Sequence, residues 1–195
     1  MADDQQRRIT DLGTLKALAH PLRSQLYRAL VMARTATASQ LAEQADEAVS
    51  LVSYHLRKLA DHGLIEEAEP QRKDGRERWW RPASDGVNIR EEDFRDAPEK
   101  AAAHQAATRL FHEQRTEAYR RHLDERAAWD VEWRDASADS EALMRLTAGE
   151  LSALTSELLG VLKSYEERGR AAEAAGDTEG RENVALYVLG FPFRA

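Results

Sequence analysis

Apolar residues recur at three- and four-residue spacing between Leu12 and Ala33, at Leu15, Leu18, Leu22, Leu26, Ala29 and Leu30. That is the period of a helix with one buried face. His20-Pro21 interrupts the run, because proline disfavours helical geometry in the residue before it. A short helix, a break and a second helix from Pro21 are therefore expected. Thr37-Ala38-Ser39-Gln40 has the form of a capping box, opening a helix with Leu41, Ala42 and Ala45 inward. A further helix is predicted from near Ser50 to about His62, with Gly63 as its stop. Leu64 to Glu69 then reads as a strand. Pro70 to Gly75 reads as a turn, with Asp74-Gly75 its signal, and Arg76 to Arg81 as a returning strand ended by Pro82.

The second half is less regular. Ser84 to Glu99 is rich in Asp, Glu, Gly and Pro and reads as a linker anchored at Phe94. Lys100 to Ala128 reads as a long helix with sparse apolar positions, among them Ala103, Ala107, Leu110, Phe111, Ala118 and Leu123. Trp129, Val131 and Trp133 alternate with charged residues, the period of a strand, and a second strand is expected over Glu141 to Leu146. Thr147-Ala148-Gly149-Glu150 is another capping box, before a helix carrying Leu151, Leu154, Leu158, Leu162 and Tyr165. Arg168 to Glu182 reads as small, polar and mobile, and Val184 to Phe191 as a buried strand. The expected fold is mainly α. It comprises an N-terminal winged helix-turn-helix (1–83), a linker (84–99), and a region (100–195) holding a long dimerisation helix and a small α+β unit.

Charge changes the picture only once it is mapped. The chain of 195 residues has a net charge of −7, the wrong sign for a nucleic-acid binder. Up to Ala83, however, 13 Lys and Arg face 12 Asp and Glu, whereas from Ser84 onward 15 face 23. The acid lies in the second half, and nucleic-acid affinity needs positive charge at the contact face only. No cysteine is present, which excludes disulfides, thiolate metal sites and a cysteine nucleophile. The polar start from Met1 to Thr10 lacks the apolar stretch of a signal peptide, and no apolar run reaches the roughly 20 residues of a membrane span. A cytoplasmic location, with no membrane partner, is the expectation.

The informative stretch is Thr37 to Gly63. Two short helices joined tightly let the second lie in a major groove about 12 Å wide while the first braces it. In the second helix Val52, Leu56 and Leu59 form one apolar stripe. Ser50, Ser53, Tyr54 and Arg57 fall on another face, polar and hydrogen-bonding, with an arginine able to take guanine O6 and N7 together. Lys58 stands beside it as a further candidate contact. The hairpin that follows brings Arg72, Lys73, Arg76, Arg78 and Arg81 against Asp74 and Glu77. Phosphate contacts by such a wing would set the register of the protein on a duplex.

The order of these residues resembles the ArsR-type winged-helix repressors from about Leu15 to Pro82. Leu18-Ala19-His20-Pro21-Leu22-Arg23 and Leu26, Thr37 to Glu43, Val52-Ser53-Tyr54-His55-Leu56-Arg57-Lys58-Leu59, and His62-Gly63-Leu64-Ile65 carry the likeness. The resemblance implies a homodimer of winged-helix subunits on a pseudo-palindromic operator in double-stranded DNA, repressing until an effector releases it. It places Ser50, Ser53, Tyr54 and Arg57 against bases or backbone, and Arg72 to Arg78 along the wing. Two positions depart from the pattern. Asp46-Glu47 occupy a turn that often holds a glycine and an apolar residue, so Glu47 must point outward. Ala48 stands where a hydroxyl cap is usual.

Other chemistries find little support. His104, His112, Glu113 and His122 on the long helix do not share one face at metal-ligand spacing, so no metal site within one chain and no other cofactor is expected; a site between subunits stays open, and solvated histidines are the better reading. No phosphate-cradling loop or catalytic motif occurs, and His55 is read as packing the recognition helix rather than as a base. No enzyme is expected. Tyr119, Trp129, Trp133, Tyr165, Tyr187 and Phe191 could line a pocket for a small apolar effector, although aromatic residues in a small unit are more often its core. The competing function is a winged-helix protein-interaction module that does not bind DNA.

Overall fold

A computed structural model describes residues 6–69 and 77–194. The chain divides into two units, one ending at Tyr119 and the other beginning at Arg120.

In the first unit the helical period and the capping residues form the elements they predict. Helices α1 (Leu12–Leu18) and α2 (Pro21–Ala33) are parted at Ala19-His20, and Pro21 takes the first helical position, where its missing N–H costs nothing. After the short strand β2 (Ala36–Thr37), Thr37 opens α3 (Ala38–Ala45) with a complete capping box. The Gln40 N–H donates to Thr37 Oγ1 (3.3 Å) and the Thr37 N–H to Gln40 Oε1 (2.9 Å). Helix α4 (Val49–Asp61) ends at His62, and Gly63 follows in the left-handed region at φ 63°.

Strands β3 (Ile65–Ala68) and β4 (Trp79–Pro82) pair antiparallel, Ile65 opposite Pro82 and Ala68 opposite Trp79. Strand β2 adds to the far edge of β4, giving the order β2-β4-β3. The expected turn Pro70–Gly75 and the start of the returning strand at Arg76 lie outside the described residues. The core is formed by Leu15, Leu18, Leu26, Leu30, Leu41, Val52, Leu56, Leu59, Leu64, Ile65 and Trp80, all buried. Dispersing one apolar stripe per helix around a shared centre is what the 3.6-residue period requires.

Ser84 to Glu99 does more than connect. Strand β5 (Gly86–Ile89) pairs in parallel with β1 (Gln6–Ile9), a strand the sequence reading did not expect. A 3-10 turn (Glu91–Asp93) follows, and Phe94 after it is fully buried, stacked on His104 at 5.6 Å. The Arg8 guanidinium reaches Asp93 through two hydrogen bonds (2.8 and 2.6 Å), holding that carboxyl below its usual range. From the adjacent position of the same strand, Arg7 Nη1 donates to the carbonyl oxygens of His62 and Gly63, capping the end of α4. The long helix α5 (Pro98–Glu125) begins here, with Ala107 its one buried residue among those described.

The second unit differs from expectation in three places. Trp129 to Arg134 does not form a strand: Val131–Ala136 is a short helix, α6. Over so few residues the two periods are hard to separate, and Trp129 and Trp133 stand four apart, the spacing of helix neighbours. Their rings meet at 6.4 Å. Glu141 to Leu146 and Val184 to Phe191 are not strands either, because no partner strand is offered within the unit. Helix α7 (Ala148–Ala174) opens on its capping box and runs seven residues into the segment read as polar and mobile. Ala171, Ala172 and Ala174 favour continuation. None of the described residues of this unit is buried. Mainly α, with a winged helix-turn-helix, a long helix and small sheets, is the fold as expected. The α+β character of its C-terminal part is not.

Candidate nucleic-acid interface

The turn before the recognition helix is made by Asp46, whose φ of 53° and ψ of 47° place it in the left-handed region. Aspartate tolerates that geometry through its short polar side chain. Its N–H closes back on Glu43 and that of Glu47 on Ala42, and Glu47 is exposed. Ala48 gives no side-chain cap, so the first turn of α4 leaves its N–H groups free of a capping side chain. Free N–H groups at a helix start are a ready site for phosphate.

Along α4, Val52, Leu56 and Leu59 are fully buried, so the opposite face is fixed outward. Ser50, Tyr54 and Arg57 are exposed on it and Ser53 is half-buried, one continuous strip as the spacing implies. Arg57 makes no hydrogen bond or ion pair with any described residue, so its guanidinium is available. Lys58 is engaged: its Nζ lies 3.2 Å from Asp61 and 5.9 Å from the centre of the Tyr54 ring. Val49 and Leu51, also exposed, add apolar surface at the helix start that the sequence reading passed over.

The wing base is nearly neutral. Arg78 pairs with Glu67 (3.0 Å) and lies over the Trp80 ring, and Arg81 pairs with Glu66 (2.7 Å). Weighing the return strand without the glutamates of β3 overstated its charge. Such exposed pairs are worth about 0–1 kcal/mol, so exchanging Glu67 for a phosphate costs Arg78 little. Arg72, Lys73 and Arg76, the other wing candidates, lie outside the described residues. Between wing and recognition helix runs a groove lined by Ser39, Val49, Ser53, Arg57, Glu77 and Arg78. Ser39 Oγ donates to Glu77 Oε1 at 2.5 Å, tying the start of α3 to the wing. Ser39 and Glu77 are site residues that helical spacing could not reveal, since they come from different elements.

Behind the helix, His55 packs on His20 with ring centres 4.6 Å apart, and the Nδ1 atoms of both are buried without a partner. Burial pushes the His55 imidazole down from its ordinary value of 6.5. The neighbouring His20 and Arg23 push it the same way, against a weaker upward pull from Glu47. His20 is lowered by burial and by Arg23. Both rings are therefore neutral in the folded protein where the unfolded chain would begin to bind protons. Stability is complete above about pH 6.5 and falls as the pH drops from there towards the lowered folded values. Thermal melts between pH 8 and 5 should show this fall, and His55→Gln should flatten it. A midpoint no steeper in wild type than in the variant would remove the histidine pair as its cause.

The six aromatic residues expected for an effector are placed as follows. Tyr165 and Phe191 are largely exposed, and the Tyr165 ring is covered by the Arg168 guanidinium at 3.8 Å. Trp129 and Trp133 meet each other; Tyr187 is exposed, as is Tyr119 on α5 of the first unit. Among the described residues no three His, Asp or Glu side chains converge as metal ligands would, and no helix is long and apolar enough to cross a membrane.

A bracing helix, a recognition helix with an outward polar strip and a two-stranded wing behind it define a winged helix-turn-helix domain. In keeping with that, residues 18–68 match the family model of a helix-turn-helix domain. Solved structures similar to the chain include the following three. One, described as a possible transcriptional regulator for arsenical resistance, is 29% identical over 52% of this chain and 85% of its own, with a TM-score of 0.32. The zinc-responsive MarR family member ZitR of Lactococcus lactis is 18% identical over 71% of this chain and 74% of its own, at 0.30. A C30AH42A mutant of ZitR in apo form is 17% identical over 79% and 91%, also at 0.30. The domain assignment rests on the local geometry and the family match. No curated protein sequence matches the chain.

Proposed function

We propose that this chain is a sequence-specific DNA-binding transcriptional regulator of the ArsR type, acting as a cytoplasmic homodimeric repressor on a pseudo-palindromic operator. Residues 1–83 bind DNA, 84–99 connect, and 100–195 serve dimerisation. The observation that carries the reading is Arg57, exposed and without a partner among the described residues, on the strip of Ser50, Ser53 and Tyr54, beside the groove under the wing. An arginine held this way can take guanine O6 and N7 together, while serine hydroxyls allow close approach of the helix.

Selection from a pool of random duplexes tests it. The expected product is an inverted repeat with half-sites about 10 base pairs apart or a multiple of that spacing, containing guanine where Arg57 reaches. A pool that stays random after repeated selection would count against the proposal. One observation favours the competing module without DNA binding: the pairing of Arg78 and Arg81 with Glu67 and Glu66 leaves the base of the wing nearly neutral. The two readings part on salt dependence, because only a duplex releases condensed counterions.

A further inference from the structure

The groove between the recognition helix and the wing holds a carboxylate that DNA binding does not call for. Of its described lining residues, Arg57 and Arg78 are cationic, Ser39 and Ser53 carry hydroxyls, and Glu77 alone is acidic. Ser39, in the first turn of α3, donates to Glu77 Oε1 at 2.5 Å, at the short end of the range for an O–H donor on a carboxylate. Neither arginine neutralises that carboxylate. Arg57 has no ion pair among the described residues, and Arg78 pairs with Glu67 instead.

With α4 in the major groove and the wing beside it, the backbone strand bounding that groove passes between the two elements. A phosphate entering there finds Arg57, Arg78, Ser53 and Ser39 as donors. The last of these is already engaged by Glu77, and the phosphate meets a fixed like charge. We propose that Glu77 is an affinity-limiting residue of the DNA interface. In the free protein its carboxylate occupies, on Ser39, the place that a duplex phosphate takes in the complex. The inference rests on the DNA-binding reading and adds to it a residue that opposes binding.

Two features favour displacement of Glu77 over a fixed structural role. Glu77 is exposed, so water can take the place of its lost partner and the net cost of the exchange is small. It also lies outside the wing ladder, whose described pairs begin at Trp79, and can swing away without breaking one of them. The consequence falls on the sequence-independent part of the affinity, which phosphate contacts supply. Base reading by α4 is left as it is.

Titration of a mixed-sequence DNA duplex with the full chain, repeated between about 50 and 200 mM salt, tests the assignment. Glu77→Gln keeps the length of the side chain and an oxygen for Ser39 but removes the charge. It should tighten binding about 3- to 30-fold, as expected for lifting one like charge from a partly solvated contact, and steepen the salt slope by about one. A selected operator should tighten by the same factor. Glu113→Gln makes the same change of net charge on an exposed position of α5 outside the groove and should stay within about twofold of wild type. Ser39→Ala separates displacement from plain repulsion. On wild type it removes both the bond to Glu77 and the contact to phosphate, so affinity should change little. On Glu77→Ala only the phosphate contact is lost, and binding should weaken about 5-fold or more.

Equal effects of Ser39→Ala in the two backgrounds overturn the inference, because Glu77 would then never hold the place of the phosphate. Unchanged or weaker duplex binding by Glu77→Gln, or equal tightening by Glu113→Gln, overturns it as well. The DNA-binding reading survives those results as long as wild type binds with steep salt dependence. A loss confined to the operator would make Glu77 a base contact, accepting from cytosine N4, and would equally overturn its role against phosphate. Wild type and Glu77→Gln that both fail to bind any duplex overturn the two readings together.

Discussion

Phe94→Ala is expected to destabilise the first unit by about 3–5 kcal/mol, the usual cost of removing a fully enclosed aromatic ring and leaving a cavity. The ring is 0% exposed, joins the main core cluster and stacks on His104 of α5. Around it, Arg8 binds Asp93 and Glu92, and β1 pairs with β5. Phe94 therefore fastens both the segment after the wing and the start of α5 to the helix-turn-helix. At the roughly 4–8 °C per kcal/mol of a small domain, the melting midpoint should fall by at least about 10 °C. Urea titration of the full chain, followed by helical circular dichroism, gives the free energy directly. A loss below about 1 kcal/mol would show that Phe94 does not fasten the segment 84–99 to the first unit.

Arg57→Ala should behave in the opposite way, leaving stability alone and damaging recognition. The side chain is exposed and holds no described residue in place, and surface changes of that kind stay within about 0.5 kcal/mol of neutral. Losing a bidentate contact to guanine costs about 1–3 kcal/mol, so affinity for the selected operator should drop by roughly 5- to 150-fold. Discrimination at the contacted base pair should relax with it. Lys58→Ala, which removes a group already engaged with Asp61 and Tyr54, should cost less and do so evenly across sequences. Titrations of both variants against the selected operator and a scrambled duplex separate these outcomes. Unchanged binding by Arg57→Ala would take that residue off the reading face.

Most of the first unit was legible because its signals are local. The break at His20-Pro21, the Thr37 capping box, the Gly63 stop and the Val52–Leu56–Leu59 stripe each depend on neighbours within a few residues. Strand β1 was not legible, since Gln6–Ile9 is polar and its partner β5 lies about 80 residues away. The outward strip on α4 followed from spacing, whereas the Ser39–Glu77 link and the groove it borders needed the tertiary structure. The neutral wing base could have been found in the sequence by setting Glu66 and Glu67 against Arg78 and Arg81 in the hairpin register. In the second unit Val184–Phe191 has strand composition but forms no ladder, because a strand is defined by its partner and composition alone does not supply one.

The most direct test of the central claim is a salt titration of binding to the selected operator and to random duplex. A winged helix making about six to ten phosphate contacts should lose about a thousandfold or more in affinity between 50 and 200 mM salt. The operator should remain about a thousandfold or more tighter than random duplex at each salt concentration. Weak binding, equal on both duplexes and flat with salt, would contradict DNA reading and leave the domain as a protein-interaction module.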